Sequence, residues 1–591
     1  MNTQRMQLRA EQFAGIASGY GDAAAMAVLG AGQLAKRKAL VAMVLRAARS
    51  TPCAPALDEA AALIVRAEQA DAAAVAGVIA HPHLDAWATL CLHRLADREK
   101  GAEADLSDLL GHLASYAAAA AIAAGLDFDL ELPTVDGAAS IPGLGNAAGL
   151  GPGRARATGT ASSVTFTGAG GTVVTLDGPG WRARRCVALT GGGRLAIEDL
   201  DPYRHCYDWR PLTYLTEARA RDLEKLLSEA WLLIERHHPG HAEGLRHSLR
   251  AMVPLATPEN GTMISAASRH AAGAIGASIP DSAADLALLL IHEYMHAKLG
   301  ALLDLVDLVE RDRPASRAGF HAPWRLDPRP AGALLQGIYA HAGVTDYWRM
   351  RRHGPDGDTR RAAAQFAYWR AMNRIALDAL INSGELTPIG KRFALILRNT
   401  LDGWETETVD PVIASRVRLF VTAQSVRWLL INAHADDEET ERAISALRFG
   451  TSPPTFAERG TIAAGAVRGP ADAPGILADL HRWLDGRTDP VGPSGPDPDT
   501  AGVMLLNGDA AGAERACLAR LDADARDDDA WIGLAVARAL PAGRNDRSDP
   551  TDLATRLLHT RPELLRNAVL KVQHAGNHAA ATELVKKMAL P

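Results

Sequence analysis

The stretch DSAADLALLLIHEYMHAKLGALL (Asp281–Leu303) decides how the rest of the chain is read. Pro280-Asp281-Ser282 stops the segment before it, and Asp281 or Ser282 can accept from the free N–H groups of a new helix. From Ala283 to about Leu303 the residues are apolar on nearly every side, which predicts a buried helix. His292 and His296 stand at i and i+4, one above the other, so both rings can reach a single metal ion. Glu293 is adjacent and can approach the open side of that ion or its bound water. Burying two imidazoles and a carboxylate is costly unless something binds them. The alternative is a pair of histidines satisfied by hydrogen bonds within a helical core.

Upstream, GTMISAASRHAAGAIGASI (Gly261–Ile279) predicts two short strands around Ser268-Arg269-His270. A strand–turn–strand followed by a His-Glu-X-X-His helix resembles the zincin arrangement, in which an edge strand lines the substrate cleft. Ser265, Ser268 and Arg269 are therefore candidate substrate-binding residues, since a peptide can pair with an open strand edge. An ordinary hairpin is the competing reading. Downstream, a catalytic centre needs a third protein ligand and open positions. Asp304, Asp307, Glu310, His321 and His341 are the candidates. The expectation falls on His341, in an apolar helix predicted from Gly332 to about Arg352, with Glu310 and His321 behind it. Asp304 and Asp307 read as groups supporting the ligands. A core histidine bonded to a carbonyl would produce the same pattern at position 341.

The fold class expected is α+β, mostly helical. Residues 1–135 read as an N-terminal helical domain, broken at Ser18–Asp22, Ser50–Pro52 and His81-Pro82-His83. A Gly/Pro-rich stretch runs over Ile141–Gly153. Ser163–Thr167, Thr172–Leu176, Trp181–Leu189 and Leu195–Ile197 then predict an inserted antiparallel β-meander within 136–210. Residues 211–484 form the helical domain carrying the His-Glu-His helix. Other helices in it cover Thr216 to about His238, Ala362–Leu380, Pro388–Leu397 and Pro411–Asn432. His237–His241 reads as a solvated loop, and Asp436–Glu439 as an exposed helix start. Asp485–Thr500 (DGRTDPVGPSGPDPDT) is a linker, and residues 501–591 form a C-terminal helical, tetratricopeptide-like region.

A chain of 591 residues exceeds what one hydrophobic core sustains. Its net charge of −6, from 63 basic and 69 acidic side chains, lacks the basic footprint of a nucleic-acid binder. The five cysteines (Cys53, Cys91, Cys186, Cys206, Cys517) show no CxxC spacing, which argues against thiolate zinc and iron–sulfur sites. They read as reduced thiols of a cytoplasmic protein. MNTQRMQLRAEQF has no basic region followed by an apolar core, and runs such as Leu286–Ile291 are short for a membrane span. Neither a signal peptide nor a membrane segment is expected.

Longer blocks carry a resemblance. HEYMHAKLGALLDL (His292–Leu305) and HAPWRLDPRPAGALLQGIYAHAGVTDYWR (His321–Arg349) resemble the HExxH-type peptide β-hydroxylases, which depend on iron and 2-oxoglutarate. These enzymes belong to RiPP biosynthesis, the making of ribosomal peptide natural products, and the same domain occurs appended to radical-SAM peptide cyclases. FAGIASGYGDAAA (Phe13–Ala25), AAIAAGLDFDLELP (Ala120–Pro133) and AGAIGASIPDS (Ala272–Ser282) extend the similarity over roughly residues 10 to 430. The resemblance implies Fe(II) on His292, His296 and a third ligand, 2-oxoglutarate as co-substrate, and peptide hydroxylation at a side-chain β-carbon. It implies a precursor peptide as partner, with a pathway radical-SAM enzyme as a second one. The distal carboxylate of 2-oxoglutarate would need a basic anchor. Arg325 and Arg329 are the candidates, since guanidinium pairs bidentately with carboxylate. Tyr339 or Gln336 would hydrogen-bond its other end. Two competing functions stay open: a zinc metallopeptidase of gluzincin type with Glu293 as general base, and a catalytically silent peptide-binding partner.

Overall fold

The computed structural model describes residues 8–97, 103–160, 163–259, 261–310, 319–354, 359–449, 461–462, 475–486, 500–539, 553–576, 581 and 583–584. The chain is α+β and mostly helical, and divides into two compact units, Met1–Asp307 and Leu308–Pro591.

The first unit opens with helices Ala10–Ala17, Ala23–Ala47, Ala54–Ala70, Ala72–Ile79, Leu84–Ala96, Glu103–Gly111 and Leu113–Ala124. All three predicted breaks separate helices. Twelve strands follow: β1 (Phe128–Val135), β2 (Ala138–Ile141), β3 (Gly145–Ala147), β4 (Gly153–Thr160), β5 (Ser163–Gly168), β6 (Val173–Thr175), β7 (Trp181–Ala183), β8 (Arg185–Ala188), β9 (Arg194–Ile197), β10 (Ala251–Leu255), β11 (Ser265–Ala267) and β12 (Ala274–Ser278).

A seven-stranded antiparallel sheet has the order β6-β5-β4-β1-β2-β3-β7. It is larger than the expected meander because Ile141–Gly153, read from sequence as a Gly/Pro-rich stretch, itself supplies strands. Asp136 and Gly137, at φ 51° and 71°, make a two-residue hairpin turn between β1 and β2, and left-handed backbone there suits an Asp-Gly pair. Helices Ala54–Ala70 and Leu113–Ala124 pack with this sheet around Trp87, Tyr116 and Phe166.

The second sheet is mixed, with the order β11-β12-β10-β9-β8. Here β8 and β9, expected in the meander, leave the first sheet: the chain crosses over at Arg184, and β9 pairs in parallel with the fully buried β10. The expected hairpin is present, β11 pairing antiparallel with β12 from Ser265↔Ala277 to Ala267↔Ile275. His237–His241 is no solvated loop. Pro239 opens helix Pro239–Ser248 directly after Glu217–His237, and His238 and His241 are buried.

In the second unit, helices Ala331–Arg351, Thr359–Asn382, Pro388–Glu405, Pro411–Asn432 and Asp437–Phe449 are followed by Ile476–Leu484 and the C-terminal helices. Tyr368, Phe420, Trp483, Trp531 and Leu565 share one core, which joins the C-terminal helices to those before residue 449. Of the expected linker, residues 487–499 lie outside the described residues. Leu106–Ala124 and Ala283–Leu303 are long and apolar enough by composition to cross a bilayer, although no single apolar run is; 56% and 61% of these stretches is buried inside the fold.

Candidate metal centre

Helix Ala283–Leu303 starts at Ser282, whose hydroxyl oxygen accepts from the Asp285 N–H at 3.1 Å and donates to the Asp285 carboxylate at 2.7 Å. Three turns on, the rings of His292 and His296 lie on one face, 4.9 Å between centroids and nearly perpendicular. That separation lets both reach one ion at the ~2.0–2.1 Å of a metal–imidazole bond. The histidines are half-buried, and Glu293 is the deeply buried member at 2% exposure. One residue turns the helix by about 100°, which carries Glu293 off the histidine face and against β11.

Glu293 Oε1 accepts from the Ser265 hydroxyl at 2.6 Å and lies 3.8 Å from His292 Nε2. Its Oε2 is buried and has no hydrogen-bond partner. Burial pushes the Glu293 carboxyl up, and His296, the Ser265 hydroxyl and the Ala267 N–H partly restrain it. Ser265 therefore addresses helix Ala283–Leu303. Arg269 donates to Asp304 at 2.5 Å, and Lys36 and Gln33 reach the other oxygen of Asp304 at 2.9 and 3.0 Å. Burial raises the Asp304 carboxyl, but these donors outweigh it and hold it below its usual range. Asp304 lies eight residues beyond His296, about 12 Å along the axis, and is fully committed there. The Ser268 hydroxyl accepts from the His270 N–H.

Lys298 escaped the sequence reading. It is buried, and its Nζ donates to the carbonyls of Gly19 and Tyr20 at 2.7 Å each while lying 4.6 Å from the Tyr294 ring centre. Burial alone drives its pKa well below the ordinary lysine value. A lone lysine in an apolar helix and the Ser18–Asp22 turn were the two signals that could have found this contact.

No family model matches the chain, and no curated protein matches it. The chemistry of the site has to speak for itself.

Within the second unit, His341 is buried between Trp324 and Trp369, with ring centres 4.3 and 4.4 Å away. Its Nδ1 donates to the Gly337 carbonyl at 2.8 Å. Neutral His341 therefore carries its lone pair on Nε2, the tautomer a metal ligand needs. His321 stacks on Trp428, Tyr339 is buried against Phe393, and Gln336 is half-buried. Arg325 and Arg329 both pair with Asp327, at 2.7 and 3.0 Å, and are 52% and 33% exposed. Glu310 is exposed, and its N–H donates to the Glu385 carbonyl.

The pair His292 and His296, with the orphaned Glu293 oxygen beside it, fits a divalent transition metal: borderline nitrogen donors on one face and an adjacent carboxylate. A second group of metal-ligating side chains, His81, His83 and Asp201, also lies in the first unit. From sequence, His81-Pro82-His83 is only a helix break, because its partner is more than a hundred residues away.

Proposed function

We propose that the chain is an Fe(II)- and 2-oxoglutarate-dependent oxygenase that hydroxylates a side-chain β-carbon of a ribosomally made precursor peptide. The observation that carries this reading is the imidazole pair of His292 and His296 on one helix face, with Glu293 engaged by Ser265. Iron with 2-oxoglutarate would supply the oxidising chemistry: R–H, O2 and 2-oxoglutarate give R–OH, succinate and CO2. An oxygenase of this kind needs no carboxylate base, so a Glu293 that is buried and hydrogen-bonded is free to orient the helix. His341 is the proposed third donor, supported by its tautomer and by the two indoles that fix its ring. Arg329, the less exposed of the two arginines, is proposed to hold the distal carboxylate of 2-oxoglutarate, ahead of Arg325. Gln336 and Tyr339 would serve its other end.

The zincin likeness belongs to the same proposal: β11 is an edge strand antiparallel to β12, and an extended peptide could add to it through main-chain hydrogen bonds. So do the tetratricopeptide-like character of the C-terminal helices, a cytoplasmic location and a radical-SAM partner.

One observation favours a second reading, a zinc peptidase. Burial raises the Glu293 carboxyl, and Oε1 lies 3.8 Å from His292 Nε2, both properties of a general base beside a metal-bound water. The two separate by product. Protein purified without oxygen and reconstituted with Fe(II) should form succinate only when the peptide is present, and the peptide should gain the mass of one oxygen atom. Cleavage of the peptide by the zinc form, without co-substrate, would overturn the oxygenase.

A further inference from the structure

We propose that His81, His83 and Asp201 form a second metal site, binding a divalent transition ion of the zinc type through His81 Nδ1, His83 Nδ1 and the Asp201 carboxylate. Both histidines and both carboxylates of the cluster, Asp201 and Glu198, are buried, at 5% exposure or less. His81 Nδ1 stands 3.6 Å from Asp201 Oδ2, and His83 Nδ1 stands 4.0 Å from Asp201 Oδ1. These gaps are too long for hydrogen bonds, which need about 2.7–3.2 Å. They approach the edge of a coordination tetrahedron, about 3.3 Å when the ligands lie ~2.0–2.1 Å from the ion.

The unpaired atoms point the same way. His83 Nδ1 and Asp201 Oδ2 are buried without a hydrogen-bond partner. Arg184 faces Glu198 at 3.2 Å, and Arg204 donates to the Asp201 and Leu212 carbonyls, so neither guanidinium serves Asp201 Oδ2. Orphaned buried polar atoms are costly, and one ion would satisfy both at once.

The far side of each ring is equally telling. His81 Nε2 lies 3.5 Å from Glu198 Oε2, and His83 Nε2 lies 3.3 Å from the Tyr207 hydroxyl. A group behind the non-ligating nitrogen is how metal-bound imidazoles are oriented, which fits Nδ1 of His83; for His81 the choice of Nδ1 rests on its 3.6 Å approach to Asp201, since its Nε2 makes no hydrogen bond. The Tyr116 hydroxyl, 3.5 Å from His81 Nδ1, closes one side. Beside His81 and Asp201 is a cavity with room for a single water, bounded also by Arg184, Glu198 and Leu200. It offers a fourth ligand.

The site's place in the fold gives it a purpose. His81-Pro82-His83 joins helices Ala72–Ile79 and Leu84–Ala96, and Glu198–Asp201 follows β9, the second strand after the chain crosses between the two sheets at Arg184. A metal here would clamp the helical layer to that crossover.

The test separates this site from the His292–His296 centre. The His292→Ala/His296→Ala double variant of the full chain, dialysed against zinc and washed, should keep about one zinc per chain by mass spectrometry of the metal, as expected for a buried site with three protein ligands. Adding Asp201→Asn should remove that zinc. In the double variant, Tyr207→Phe should weaken zinc about 10–100-fold, as loss of a group behind a ligand does, without needing the fold to tolerate a lost carboxylate. Cobalt in place of zinc should give visible absorption bands in the double variant. A folded double variant, judged by circular dichroism, that binds no zinc and shows no cobalt bands would overturn the proposal. So would zinc retained undiminished after Asp201→Asn and Tyr207→Phe.

Discussion

Ser265→Ala is the sharpest perturbation of the candidate centre, because it removes one hydroxyl and no packing of consequence. That hydroxyl donates to Glu293 Oε1 at 2.6 Å, Oε2 makes no hydrogen bond, and the other restraints on the carboxyl are His296 and the Ala267 N–H. A hydrogen bond to an ionised group is worth about 1.5–3 kcal/mol and a neutral one about 0.5–1.5. With Glu293 ionised, the change should therefore cost about 1.5–3 kcal/mol; in Glu293→Gln it should cost about 0.5–1.5, leaving a coupling near 1–2 kcal/mol. The pH dependence has a definite sign. Burial holds the Glu293 carboxyl above its ordinary 4.5, so the folded state keeps its proton more tightly than the unfolded state. Its contribution is complete below 4.5 and is lost as pH rises through the folded value. Ser265→Ala removes a donor to the ionised form and should steepen that loss. Since a chain with two units need not unfold in one step, the assay is amide hydrogen exchange of Ala283–Leu303 in chelator-treated protein, which reads the local opening free energy. Equal cost in both backgrounds, or a cost that ignores pH between 4 and 8, would refute the assignment of Ser265 as the restraint on Glu293.

Gly244→Ala would place a methyl 1.8 Å from the Tyr294 hydroxyl. Overpacking of about 1–3 kcal/mol should outweigh the helix-propensity gain of about 1 kcal/mol, and Tyr294→Phe should recover part of the loss in a melting experiment; a stabilised Gly244→Ala contradicts the packing. Lys298→Met takes the Nζ donor from the Gly19 and Tyr20 carbonyls, and limited proteolysis should then cut the Ser18–Asp22 turn faster than in the parent protein. His341→Ala should reduce iron binding with helix content intact by circular dichroism, and unchanged iron affinity removes His341 from the ligand set. Arg329→Ala should raise the KM for 2-oxoglutarate with kcat nearly held; its ion pair with Asp327, one-third exposed, accounts for at most about 1 kcal/mol of stability. A KM that does not move leaves the arginine to that pair alone.

What could be read in the sequence was local. Ser282 as helix cap, the β11–β12 hairpin and the one-turn spacing of His292 and His296 each depend on neighbours within a few residues. What could not be read was set by distant partners. Phe128–Thr134 looked like the end of a helical domain, yet it is paired residue by residue with Gly153–Gly159. Ile141–Gly153 looked like a Gly/Pro-rich spacer because strands of three or four residues with glycine turns carry almost no alternation. His237–His241 looked solvated because nothing nearby shows that helices on both sides bury it. His81 and His83 are separated from Asp201 by three helices and nine strands, so only the assembled fold brings them together.

Helix Ala283–Leu303 itself shows why Glu293 and Lys298, not the histidines, are its deepest polar groups. Glu293 ties it to β11, Tyr294 packs against Gly244 with its hydroxyl directed at Met26 Sδ 3.4 Å away, and Lys298 ties it to the Ser18–Asp22 turn. Three neighbouring elements thus fix the helix in both rotation and register. With those settled, the rigid scaffold sets the direction from which His292 and His296 project, which is the preorganisation a metal centre requires. A rotation of the helix by even one residue, about 100°, would swing Glu293 onto the imidazole face and bury a histidine against Ser265. The buried pair Glu293 and Lys298 is costly to hold, and its cost is intelligible if what it secures is the direction of two imidazoles.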